Sequence, residues 1–156
     1  MSKKLNLGCG EFPLEGYTNV DLRPPADVIG DFTTDFDFKD VDEVIMSHVL
    51  EHLPWGTTNN VLALVRSWMN SGGKIIIEVP DMAAAFNRGV FDEWAKIVTY
   101  GIQDGEGEYH KAGFTLEKLA KNVMECGFEL EQGRTFLSEH RMRRGMPCIE
   151  VIGIAL

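Results

Sequence analysis

A chain of 156 residues, 44% hydrophobic and 25% charged, is sized to bury roughly two thirds of its unfolded surface in one core, a balance that excludes disorder and fibrous repeats. Its net charge of -9, from 24 acidic against 15 basic residues, argues against a nucleic-acid partner, because displacing phosphate counterions takes a surplus of Lys and Arg. No apolar run approaches the ~20 residues that span a bilayer, Met1 to Leu5 passes straight into a strand pattern without a signal peptide, and Cys9, Cys126 and Cys148 form neither an even set nor a CxxC pair, so a cytoplasmic location is expected.

Short apolar runs alternate with helical patterns, which predicts a sheet covered by helices. Strands are expected over Lys4 to Leu7, Thr18 to Asp21, Asp27 to Ile29 and Glu43 to Met46. A helix follows from about Thr58 to Asn70, with a Thr cap before it, a stripe of Val61, Leu62, Val65, Trp68 and Met69, and Gly72-Gly73 after it. The fifth strand spans Lys74 to Val79. Met82 to Tyr100 reads as helical in one or two pieces, and Gly101 to Gly113 as a polar, glycine-rich loop. A last helix follows Thr115, with Leu116, Leu119, Ala120 and Val123 inward and Gly127 as its stop. Strands over Phe128 to Gln132 and Cys148 to Ala155 complete the set. Runs such as Val44-Ile45-Met46 and Ile75-Ile76-Ile77 suit strands buried on both faces of a largely parallel sheet.

The first strand ends in Leu7-Gly8-Cys9-Gly10, where two glycines allow a tight turn and the close approach of a ligand to the main chain. A dinucleotide fingerprint would place a third glycine at position 13. Pro13 stands there, which argues against a pyrophosphate on a helix N-terminus and against a nicotinamide enzyme. Asp21, at the tip of the second strand, is placed to accept hydrogen bonds from both hydroxyls of a ribose. Asp31 closes the third strand in the same way, and with Phe32 it offers an edge and a face to an adenine. A solvated turn aspartate is the simpler account of each acid alone.

With Leu5-Asn6-Leu7-Gly8-Cys9-Gly10, Asn19-Val20-Asp21, Gly30-Asp31 and Ser47-His48-Val49-Leu50-Glu51-His52-Leu53 in this order, the chain resembles the class I S-adenosylmethionine-dependent methyltransferases, specifically the small type 11-like members. Gly72-Gly73-Lys74, Ala112-Gly113-Phe114 and Gly127-Phe128 extend the likeness over nearly the whole chain. The resemblance implies a Rossmann-like α/β fold with seven strands in the order 3-2-1-4-5-7-6, strand seven antiparallel. It implies S-adenosyl-L-methionine as cofactor and S-adenosyl-L-homocysteine as product. Gly8, Cys9 and Gly10 would contact the methionine moiety, Asp21 with Leu22 beside it the ribose, Asp31 and Phe32 the adenine, and Ser47 and His48 the floor of the site. One departure is large: only Glu11 to Tyr17 join the first two strands, too few for a crossover helix, and the link after Asp31 is also short. One face of the sheet should be thinly covered, and a second copy of the chain is a candidate to cover it.

His48-Val49-Leu50-Glu51-His52 also matches the HxxEH pattern of inverted zinc proteases, which makes a zinc hydrolase the rival enzyme reading. Pro54 interrupts two residues later, so a strand-end loop is expected in place of a zinc helix, and no metal is assigned. Glu51 and His52 should pin that loop, by hydrogen bonds to backbone or to each other, while His48 should be the more exposed toward the cofactor. Methyl transfer from a sulfonium is an in-line displacement that needs positioning in a dry pocket, with a base only if the acceptor is a hydroxyl or amine. His48 and His110 are the candidates for that base. The substrate side is expected beyond the carboxyl ends of the strands, with an insertion at about 82–113 in a single domain of residues 1–156. Tyr109 and the stretch His140-Arg141-Met142-Arg143-Arg144 would overhang it, with Arg143 and Arg144 holding an anionic group on a small-molecule acceptor. The short crossover also leaves open a module that binds the cofactor without turnover.

Overall fold

The computed structural model describes residues 2–87, 93–105, 107–140 and 143–156. Chain order runs β1 (Lys4–Leu7), β2 (Thr18–Asp21), β3 (Val28–Ile29), β4 (Val41–Ser47), α1 (Thr58–Trp68), β5 (Met69–Pro80), α2 (Met82–Asn87), α3 (Glu93–Tyr100), α4 (Leu116–Glu125), β6 (Phe128–Leu137) and β7 (Pro147–Ala155). All strands join one seven-stranded sheet in the order β3-β2-β1-β4-β5-β7-β6. The first five are mutually parallel where they pair, and β7 runs antiparallel to both β5 and β6, as expected.

Several boundaries differ from the sequence reading for reasons of pairing. β5 begins at Met69 because that residue already pairs with Val41 ahead of a register shift. β6 continues to Leu137 because it pairs with β7 as far as Pro147, and being exposed along most of its length it has no apolar alternation to betray it. Thr57 precedes α1 without capping it: its Oγ1 donates to Pro54 O at 2.7 Å instead of accepting from the first turn. Thr115 does cap α4, accepting from Lys118 N.

The core lies on one face of the sheet, where Val61, Leu62, Val65 and Trp68 of α1 and Leu119 and Val123 of α4 meet Val44, Met46, Ile75, Ile77, Ile149 and Val151. The link from Phe32 to Asp40 crosses here too, stacking Phe36 on Phe38 and setting Phe38 edge-on to Trp68. The opposite face is covered unevenly. Over β1 and β2 the link from Glu11 to Tyr17 lies as a turn, held by Asn6 Nδ2 donating to Phe12 O and to Asn19 Oδ1, and by Leu14 N donating to Asn19 Oδ1. At the carboxyl end, α2 and α3 bury Ala85, Ala95 and Val98 against Met146 and Cys148. Between them Ile45, Ile76 and Ile152 stand in register across β4, β5 and β7, each partly exposed. Among the described residues, no helix is long and apolar enough to cross a membrane.

Candidate functional site

Parallel strands β1 to β4 present their carboxyl ends on one edge, where open α/β sheets bind ligands. The backbone stitches those tips together. Gly8 N and Cys9 N donate to Val20 O at 2.8 and 3.2 Å, Gly10 N donates to the Asp21 carboxylate at 2.9 Å, and Gly30 N donates to Asp21 O at 2.9 Å. Gly8 and Gly10 sit at φ +67° and +52°, where a side chain is strained, and a Cβ on Gly8 would lie 2.5 Å from Val49 Cγ2. The loop after β1 therefore packs directly on the turn after β4. Cys9 is buried, and burial, reinforced by Asp21, pushes its thiol up, so it is an uncharged packing group.

The other expected cofactor contacts are spread differently. Asp21 also accepts from Arg23 N at 3.2 Å, and Leu22 beside it is exposed. Asp31 caps a turn, accepting from Thr33 N at 2.8 Å and from the Thr33 hydroxyl at 2.6 Å. Phe32 is 7% exposed and belongs to the core, so it offers a ligand little of its face. Ser47 is half-buried and pairs with Glu78 across β4 and β5.

His48 departs most from expectation. Its backbone takes φ +57°, and its ring is buried with Nδ1 donating to Glu51 Oε1 at 2.9 Å and Nε2 donating to Glu78 Oε1 at 3.2 Å. Cys148 Sγ lies 4.0 Å from Nε2. Burial opposes its charge, but the contacts with Cys148, Glu51 and Glu78 outweigh burial and push the imidazole up to about 10. Burial likewise opposes charge on Glu51, and the His48 contact overrides it, holding the carboxyl below its ordinary value. His48 is thus closed off, not exposed toward the cofactor, because Glu78 and Cys148 arrive from β5 and β7, which its local sequence does not announce. Nor does the HxxEH segment form a zinc helix: Leu50–His52 is a single 3-10 turn, and both ring nitrogens of His48 are engaged.

Glu51 and His52 do pin the turn, though not to each other. Glu51 O accepts from Lys111 N and Ala112 N at 2.7 and 3.0 Å, and His52 Nδ1 donates to Tyr109 O at 3.2 Å. His110 Nδ1 donates to Val98 O at 2.8 Å, and its ring meets His52 edge-on at 4.9 Å. Burial lowers the His110 pKa, keeping the ring neutral. Tyr109, half exposed, pairs with Gly101 in the same loop. The β6–β7 hairpin reaches the first loop through His140, whose ring meets Phe12 edge-on at 4.8 Å. Arg143 is partly exposed and Arg144 exposed at this tip, while Arg141 and Met142 lie outside the described residues. Elsewhere, a hollow of about 250 Å³ between α1 and α4, lined by Trp55, Asn59, Phe114 and Lys118, lies away from the β1 and β2 tips.

No family model matches the chain, and no curated protein matches it. Solved structures do. A methyltransferase of Methanosarcina mazei, described as S-adenosylmethionine-dependent, aligns over 99% of this chain and 92% of its own with a TM-score of 0.72 at 17% identity. The fold is that of the class I methyltransferases. Two further structures with this fold hold S-adenosylhomocysteine. The 1,6-didemethyltoxoflavin-N1-methyltransferase of Burkholderia thailandensis also holds 1,6-didemethyltoxoflavin; it aligns over 99% of this chain and 71% of its own, with a TM-score of 0.67 and 16% identity. The N-methyltransferase NodS of Bradyrhizobium japonicum aligns over 99% and 78%, with a TM-score of 0.64 and 14% identity. The loop carrying Tyr109 and His110 and the β6–β7 hairpin border the β1 to β4 edge.

Proposed function

We propose that the chain is an S-adenosylmethionine-dependent methyltransferase acting on a small-molecule acceptor. The observation that carries the reading is the junction of Gly10 N with the Asp21 carboxylate at the tips of β1 and β2 within a methyltransferase fold. The residues present fit such a cofactor. Gly8 and Gly10, with the Cys9 side chain buried between them, give a main-chain approach for its methionine end, Asp21 with Leu22 a carboxylate and an apolar shelf for the ribose, and Asp31 with the rim of Phe32 an acceptor near the adenine. Ser47 closes the floor, and His48 braces that floor from beneath. The cofactor would supply an electrophilic methyl carbon. The chain's task is to align the acceptor's lone pair behind that carbon and exclude water.

A hydroxyl or amine acceptor gives up a proton in the same reaction, whereas a carboxylate does not. His48 has no free nitrogen for that proton; His110 keeps a lone pair on Nε2. The segment at about 82–113 serves as the substrate-side insertion, with Tyr109 facing the acceptor, and Arg143 and Arg144 hold an anionic group on it. Replacing both arginines with Gln should raise KM for the true acceptor, and an unchanged KM would remove the anion from the proposal. The uncovered sheet face is assigned to a second copy of the chain.

Calorimetric titration with S-adenosylmethionine and S-adenosylhomocysteine tests the reading. Micromolar-range binding abolished by Asp21→Ala supports it. Absence of binding ends it, and binding without turnover on a broad acceptor panel would favour a module that only holds the cofactor.

A further inference from the structure

Glu51, His52 and His110 each offer a ligating atom, and the three atoms lie within 4.8 Å of one another. Glu51 is 1% exposed; its Oε1 accepts from His48, but Oε2 is buried with no hydrogen-bond partner among the described residues. A buried carboxylate oxygen left unpaired is costly, so something belongs against it. The two histidines are prepared alike. Each directs Nδ1 at a main-chain carbonyl, Tyr109 O for His52 and Val98 O for His110, which leaves Nε2 as the ring nitrogen available to a ligand. A carboxylate and two imidazoles are thus brought together, and a cation is what completes such a set.

We propose that Glu51, His52 and His110 bind a divalent first-row transition-metal ion of the kind that Zn²⁺ represents. Two imidazoles and one carboxylate suit such ions, and three protein ligands leave coordination positions for solvent or a substrate oxygen. The supporting shell matches the way metal-binding histidines are usually oriented, through the second ring nitrogen onto a carbonyl, with the carboxylate itself hydrogen-bonded by His48. Lys111 N and Ala112 N donate to Glu51 O, which ties the loop carrying His110 to the turn carrying the other two ligands. His52 and His110 are only partly buried, so an ion has a way in.

A second cluster, His48, Glu78 and Cys148, is the weaker candidate. Its histidine already uses both nitrogens, and Cys148 is fully buried. The cation site stands whether or not the chain transfers methyl groups. Its nearness to a cofactor, through Val49 packed on Gly8, rests on that reading, and with an ion bound the His110 lone pair serves the metal and not an acceptor's proton.

The test uses the full chain stripped with chelator, titrated with Zn²⁺ by calorimetry and with Co²⁺ by visible absorption. One ion per chain is expected, with affinity falling at least about tenfold in His52→Ala and in His110→Ala. Circular dichroism checks that each variant is folded, and His140→Ala, a histidine outside the cluster, should bind like the parent. The proposal is overturned by no uptake in the parent chain, by unchanged affinity in the folded His52→Ala/His110→Ala double variant, or by loss only in Cys148→Ser. Titration with S-adenosylhomocysteine on the same samples reads the methyltransferase proposal separately.

Discussion

Glu51 carries its charge at 1% exposure, and His48 beside it is the cation that makes this tolerable. Removing one partner of such a pair leaves the other charged and unsolvated, so His48→Gln should cost about 3 kcal/mol of unfolding free energy, read by urea denaturation. A loss below ~1 kcal/mol would mean that the pair is not ionised in the folded protein. The sequence placed His48 at the end of β4 correctly and misjudged what surrounds it. Its partners Glu78 and Cys148 are brought in by strand registers, Ser47 against Glu78 and Pro80 against Cys148, and register between distant strands is not written in a local motif. Asp31 was legible as a turn acid, whereas the burial of Phe32, which leaves only its rim toward a ligand, was not, because apolar residues such as Leu22 and Trp55 stay exposed in the same chain. His110 was singled out as a candidate base. Its company with Glu51 and His52 depends on the fold of the loop from Gly101 to Gly113.

At the scale of elements, the reduction of the first crossover helix to a turn was visible in the short span from Glu11 to Tyr17, but the bonds that hold that turn were not. Asn6 and Asn19 look like ordinary strand residues in the sequence, yet both are buried and hydrogen-bonded to the link that lies over them. Asp27, just ahead of β3, anchors the arrangement by accepting from Asn19 N and Asn19 Nδ2, both at 2.8 Å. Those bonds hold the Asp27 carboxyl below its ordinary pKa. A carboxylate with a depressed folded pKa contributes stability that is present above the usual carboxylate range and is lost as pH falls through the lowered value. Asp27→Asn should therefore lower the thermal midpoint at pH 7, and the gap from the parent should close as pH falls below about 4. Thermal melts over that range decide it; a gap independent of pH would show that the carboxylate charge plays no part. The apolar runs that revealed β4 and β5 worked because these strands are central. Edge strand β6 is longer than its sequence suggested, since solvent on much of its surface leaves no pattern to read.

For the molecule as a whole, alternating strands and helices marked a sheet covered by helices, while the strand order came from the family resemblance alone. The consequence of two turn-like crossovers is a sheet clad in helices on one face only at its centre. Parallel sheets are ordinarily covered on both faces, and here Ile45, Ile76 and Ile152 form a partly exposed row across three strands. The charges around the row are already matched within the chain: Lys4 with Glu43 at 3.3 Å, Lys74 with Glu131 at 2.8 Å, and Arg134 with Glu150 at 2.7 Å. A surface of apolar residues rimmed by neutralised charges can meet its own copy about a two-fold axis without bringing like charges together unpaired. Light scattering on a sizing column should then return twice the 17.5 kDa chain mass at tens of micromolar. Ile76→Asp, placed mid-row, should return the single-chain mass with an unaltered circular dichroism spectrum. If the parent chain runs at its single mass at every concentration, the second copy is not what covers this face, and the sheet centre meets water directly.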